Sequence, residues 1–265
     1  MSKNAFILFA VLAVLAVLAV LGAAPSATAV TNIVNVNICD AEWTAVEALP
    51  RFADRVSRWQ ALAPKCARSG LYEARLATLE TLFGRYDEAR EAVRAGLALD
   101  SPYKKELLST MAGVALNQGQ LADAQKQYQA LITSYPNYYD GYCGIGAIML
   151  IERKFPEAVR YLNEAAQYAQ APIIYRHLTI AYHQLHQNQQ AVDAFDKAYR
   201  LNHDIVRDKD ATHAVTRALM FLGNYRAADG AVKLLLEANP AAGADPQIQQ
   251  TQQIIREKLE EATPK

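Results

Sequence analysis

The chain has 265 residues, 27 basic against 27 acidic side chains, and 52% hydrophobic residues. That is the composition of an ordinary globular protein with one added apolar segment. Nucleic-acid binding needs clustered Lys and Arg to neutralise phosphates; no such cluster is present, which argues against that class, and charge selects no other partner.

The apolar segment comes first. Lys3 gives a short positive region, Ala5 to Leu21 is an unbroken Ala/Val/Leu/Ile/Phe run, and Ala27 and Ala29 stand at −3 and −1 of a small-residue site. Residues 1–29 therefore read as a secretory signal peptide cleaved after Ala29. An uncleaved, outward-facing membrane anchor is the alternative, because the run extended to Ala24 reaches the ~20 residues that span a bilayer. Either reading exports the rest of the chain to the periplasm or cell envelope, and membrane contact follows only if the segment is retained.

Residues 30–40 alternate at strand period through Val34, Val36 and Ile38, which reads as an extended arm or a frayed terminus. Residues 41–69 read as a degenerate helical hairpin. Asp40 caps a short helix carrying Trp43 and Val46 that Pro50 stops, and a second helix carrying Phe52, Val56, Trp59 and Leu62 ends before Pro64. Cys39 precedes the first helix and Cys66 follows the second, so an antiparallel pair brings both to one end, where export permits a disulfide. Two reduced, buried thiols are the alternative.

From Gly70 onward a helix-turn-helix pattern recurs. Its small-residue anchors are Ala89, Ala124, Ala158, Ala191 and Ala228, separated by 35, 34, 33 and 37 residues. Four residues after each anchor stand Val93, Tyr128, Leu162, Phe195 and Val232, and five before stand Gly84, Gly119, Arg153, His186 and Gly223. Small residues let paired helices approach to about 8–10 Å, larger ones fill the holes, and a turn glycine takes the left-handed conformation that ends a helix. His186 replaces that glycine, and Thr179 and Thr216 occupy the small position of their first helices, so looser packing is expected in the last two units. The extra residues of the longest interval fall at Asn202 to Asp208, which reads as a loop.

These positions resemble the tetratricopeptide repeat family over residues 70–240, as five repeats, with the hairpin before them as a weaker unit. The resemblance implies an all-α, right-handed α-solenoid of tetratricopeptide helix hairpins. Residues 241–265 then supply a capping helix and tail, with Asp245 as N-cap, Pro246 in the first turn, and Ile248, Ile255 and Leu259 on one side. Family behaviour also implies a ligand groove on the concave surface, lined by the first helix of each unit. Carried over by position, that groove holds Ser109, Gly113, Asp140, Cys143, Ala147, Arg176, Ile180, His183, His213 and Arg217. Gly113 and Ala147 leave room for a ligand backbone, and Arg176 with Arg217 can hold a carboxylate; a solvated helix face is the alternative. The Lys/Asn carboxylate clamp of some tetratricopeptide adaptors is replaced here by Ala74, Thr78, Ser109 and Gly113.

Nothing in the sequence assembles a nucleophile, a base and an orienting group, so no enzyme activity, cofactor or catalytic residue is expected. No metal site is expected either: His183 and His186 share i, i+3 spacing, but no cluster completes a ligand set, and with His177 they read as turn and surface histidines. The resemblance implies an exported protein-interaction scaffold or adaptor that binds a peptide or partner protein and assists assembly of an envelope complex. A structural subunit contacting its neighbours through the convex face or terminal helices is the alternative.

Overall fold

A computed structural model describes residues 42–43, 45–46, 52–66, 69–99 and 102–262. The N-terminal apolar run, the arm, Cys39, Asp40 and Pro50 lie outside the described residues, as do the side chains of Phe52 and Val56. The chain divides into two units, one ending at Gln118 and one beginning at Gly119. Among the described residues the regular elements are all helical.

The first unit contains α1 (Phe52–Gln60), α2 (Ala63–Cys66), α3 (Gly70–Leu82), α4 (Tyr86–Leu97) and α5 (Lys104–Asn117). The helix ends before Pro64, as expected, but short of Leu62. The helix stops at Gln60, and Pro64 stands in the first turn of α2, where a missing N–H costs no intrahelical bond. Aromatic packing joins this region to the array. Trp59 stacks on Tyr72 at 5.4 Å, meets Trp43 edge-on at 4.9 Å, and donates its indole N–H to the Tyr72 carbonyl at 3.1 Å. Fully buried Glu80 is held by Gln60 at 2.6 Å and lies 3.2 Å from the Arg85 guanidinium. Cys66 is buried and is not a free thiol.

The second unit contains α6 (Leu121–Ser134), α7 (Tyr139–Ile151), α8 (Phe155–Tyr168), α9 (Pro172–Gln184), α10 (Asn188–Leu201), α11 (Lys209–Phe221), α12 (Tyr225–Ala238) and α13 (Pro246–Glu261). Short 3-10 helices at His203–Arg207 and Pro240–Ala244 connect the later elements. Every anchor alanine is fully buried, and so are Leu162, Ala165, Ala198 and Leu235. The pairs α7/α8, α9/α10 and α11/α12 are hairpins, and within the unit α7 also adjoins α9, which adjoins α11. Close approach depends on small residues. A Cβ on Gly144 would stand 2.3 Å from the Tyr128 ring, and one on Gly146 would stand 2.7 Å from Leu162.

Two expectations are corrected here. Thr179 and Thr216 do not loosen the helix contacts they occupy. Both are fully buried, and their hydroxyls donate to the carbonyls of Tyr175 and Thr212 at 2.8 and 2.7 Å, so each fills the small position without leaving a polar atom unmet. Nor is Asn202–Asp208 an irregular loop. Asn202 accepts from the Asp204 amide at 2.9 Å, a 3-10 helix follows, and Ile205 is buried.

The hairpin turns share one geometry whatever residue occupies them. Gly84 and Gly223 have φ of 72° and 75°, and Arg153 and His186 adopt 60° and 58° at the same place. In each, the next residue's N–H reaches back over the turn, as in Arg85 to Glu80, Lys154 to Met149, Gln187 to Tyr182 and Asn224 to Leu219, at 2.8–2.9 Å. This closes the helix end, and a Cβ in the left-handed region opposes it by roughly 1–2 kcal/mol.

Candidate protein-binding surfaces

In the first unit, Ser109 and Gly113 are both half-buried on α5. The remaining expected groove residues lie on α7, α9 and α11 of the second unit and fall into two groups.

The group on α7 and α9 is largely committed to the protein's own structure. Asp140 accepts from the Tyr138 hydroxyl at 2.7 Å. Cys143 is buried, with Sγ 3.8 Å from Nδ1 of His177, so His177 is not a surface histidine. Burial pushes the Cys143 thiol up, reinforced by the Asp140 charge, while burial and the neighbouring Arg176 charge push His177 down to about 3. Both shifts favour the neutral pair, the opposite of a thiolate poised for attack. Arg176 is not available as an anion clamp. Its Nε bonds Asp208 at 2.5 Å, and Asp208 also caps α11 by accepting from the Ala211 amide at 2.8 Å. One carboxylate thus satisfies a guanidinium and a helix N-terminus together. Ala147 and Ile180 remain half-exposed.

The second group surrounds the end of α11. His213 lies 3.1 Å from the Thr251 hydroxyl of α13, so it is occupied by the terminal helix rather than open to a ligand. Burial and the Arg217 charge lower His213, and the same causes with smaller contributions from His213 and His186 bring His183 down to about 4. Arg217 itself is exposed and makes no hydrogen bond or ion pair among the described residues. It borders a cleft of about 360 Å³ between α11 and α13, walled by Met220, Phe221, Tyr225, Gln250 and Ile254. Phe221 is 58% exposed and Ile254 37%. The α13 wall was not legible in the sequence, whereas on the α11 wall Phe221, one turn beyond Arg217, was a usable signal.

A further cavity of about 460 Å³ is lined mainly by apolar residues of α10, α11 and α12, including Phe195, Leu219 and the exposed Leu234. Among the described residues, no group of three or more His, Cys, Asp or Glu is placed to hold a metal ion, and no helix is long and apolar enough to cross a membrane. The tyrosines near the start of α7 pack on one another and on helix ends: Tyr142 stacks on Tyr168 at 5.4 Å and donates to the Pro136 carbonyl at 2.9 Å.

No protein-family model matches the chain, and no curated protein matches it in sequence. Its fold has clear counterparts among solved structures. The chain is similar to the APC/C hetero-tetramer Cut9–Hcn1 at 12% identity and TM-score 0.63, covering 85% of this chain and 45% of that one. It thus spans about half the length of that relative. It is similar to TTC0263, a thermophilic TPR protein of Thermus thermophilus, at 18% identity and TM-score 0.52, covering 72% and 99%. It is also similar to pilF of Pseudomonas aeruginosa, at 15% identity and TM-score 0.56, covering 83% and 99%. With its repeated helix hairpins, buried anchor alanines and left-handed turns, the chain has the tetratricopeptide-repeat fold.

Proposed function

We propose that the chain is an exported protein-interaction scaffold or adaptor that holds a peptide or partner protein on the first helices of its second unit. The observation that carries this is the uncompensated Arg217 beside exposed Phe221 and Ile254, at the end of a row of adjoining first helices. A charge and an apolar surface left unmet by the protein's own side chains are what a partner can satisfy. Ala147 and Ile180, both half-exposed, continue this face along α7 and α9. The neighbours of known structure include a subunit of a hetero-tetramer, which is in keeping with such a role. Export rests on the apolar run from Ala5 and the Ala27–Ala29 site, and assistance to an envelope complex follows from that location.

A second reading has its own observation. The apolar cavity around Phe195 and Leu219, with Leu234 44% exposed at its edge, suits a structural subunit that contacts its neighbours at the α10–α12 cavity rather than along the α7–α9 face and Arg217.

Affinity capture from the extracytoplasmic fraction separates the two. A partner retained by the wild type and by Leu234→Asp, but lost from Ile180→Glu and Arg217→Glu, supports the first-helix face. A partner lost only from Leu234→Asp moves the contact to the cavity, and the absence of any partner counts against a scaffold. Intact mass of the exported chain tests the leader: a species beginning at Val30 is expected, and a chain found only in the cytoplasm would overturn export.

A further inference from the structure

We propose that the cleft between α11 and α13 is a binding site for a carboxylate carried next to an apolar side chain, with Arg217 taking the carboxylate and the Phe221–Ile254 wall taking the side chain. This rests on the reading of the second unit as an interaction surface and names the chemistry of what it takes.

Size comes first. A cleft of about 360 Å³ lies near the lower end of the ~300–1,000 Å³ range of ligand pockets, so it admits one or two side chains and not a folded element. Charge comes next. Arg217 is the one charged residue in the lining, and no carboxylate faces it there. Of the acids nearby, Asp245 accepts from Lys209 at 2.6 Å and from the Gln247 amide at 2.8 Å, Asp208 holds Arg176, and Asp210, seven residues before Arg217 on α11, is not in the lining. A guanidinium presents a fork of donors that matches a carboxylate bidentately.

The rest of the cleft selects what is attached to the anion. Phe221 lies one helical turn beyond Arg217, so both project on the same side of α11. Across the gap, Gln250 and Ile254 are likewise one turn apart on α13, so the facing wall offers an amide and an aliphatic chain. The His213–Thr251 contact joins α11 to α13 one turn before Arg217 and braces the two walls. A bare inorganic anion leaves the apolar wall unmet, and a purely apolar segment leaves Arg217 unmet.

Two sources supply this chemistry: a chain-terminal carboxylate on an apolar residue, or an internal acidic residue flanked by one. Calorimetric titration of the full chain distinguishes them with three probes: acetyl-Gly-Gly-Leu-Phe with a free C-terminus, the same peptide amidated, and acetyl-Gly-Leu-Asp-Phe-Gly-amide. Binding of the first or third is expected, with the amidated peptide weaker by about tenfold or more. Arg217→Gln should weaken binding by about the same factor, and Phe221→Ala should weaken it further, while Arg200→Gln on the exposed face of α10 leaves it unchanged. Thermal unfolding of each variant confirms that it is folded. Equal binding of the amidated peptide, binding that survives Arg217→Gln, or no binding of any probe at millimolar concentration overturns the assignment. A partner still captured by the wild type when all three probes fail leaves the scaffold reading standing and removes only the cleft.

Discussion

The α7–α9 face and the α11–α13 cleft are built on the first helices of successive repeats, yet one is closed by its own chemistry and the other is open. On α9, Arg176 finds Asp208, and beside it Cys143 and His177 are desolvated against each other. On α11, one repeat later, Arg217 meets no acid, and the following turn exposes Phe221 to 58%. The difference arises from the segment downstream of each helix pair. Each pair is followed by a 3-10 helix and a capping aspartate, but Asp208 meets Arg176 whereas Asp245 meets Lys209, and α13 brings glutamines and Ile254 to Arg217. An arginine on a first helix does not have a fixed role; its neighbours decide whether it is structure or surface.

The largest expected effect tests how closed the first region is. Gly144→Ala forces a Cβ into the buried Tyr128 ring and should cost about 3 kcal/mol in chemical denaturation, the upper end for an overpacked core. Asp208→Ala strips α11 of its cap and leaves a partly buried guanidinium unpaired, so a loss of about 2 kcal/mol is expected. The matching change in the open region, Arg217→Gln, should alter stability by less than about 0.5 kcal/mol, because no contact is lost. Equal costs for Asp208→Ala and Arg217→Gln would erase the contrast.

A smaller effect of opposite sign comes from the turns. Arg153→Gly relieves a left-handed Cβ while keeping the same back-reaching hydrogen bond and should raise stability by about 0.5–1 kcal/mol, whereas His186→Gly gains less because it also removes the edge-on contact with Phe221. The pH dependence has a defined sign. His177 and His183 are lowered from 6.5 to about 3 and about 4, and His213 is lowered as well. Between those values and 6.5 the unfolded chain binds more protons than the folded one, so their contribution is complete above about pH 6.5 and is lost as pH falls towards 4. The groups that set His183 are Arg217, His213 and His186; those that set His213 are Arg217, Asp245, Asp210 and Lys209. In Arg217→Gln the imidazole titrations of His183 and His213, followed by NMR, should both move up.

Much of the array was legible because its constraint is local and periodic. Ala89, Ala124, Ala158, Ala191 and Ala228 must be small wherever two helices meet closely, so their spacing reveals the hairpins. The turn at His186 was harder to place, since the backbone holds the left-handed conformation without the glycine that usually marks it. Thr179 and Thr216 misled because a threonine looks too large and polar for a close contact until its hydroxyl bonds the preceding turn. The candidate site was legible only as a set of positions. That Arg176 is committed depends on Asp208, 32 residues away at the end of a 3-10 helix that no periodicity announces. That Arg217 faces a cleft depends on the seating of α13, a packing outcome that its Gln-rich sequence leaves open.

The central claim, that Arg217 is available to a ligand and Arg176 is not, is tested most directly by arginine modification of the full chain with a phenylglyoxal reagent, read by peptide mass spectrometry. The account predicts that Arg217 reacts faster than Arg176 and that acetyl-Gly-Gly-Leu-Phe or acetyl-Gly-Leu-Asp-Phe-Gly-amide protects Arg217 alone. Equal reactivity of the two arginines, or an Arg217 that neither peptide protects, would contradict it.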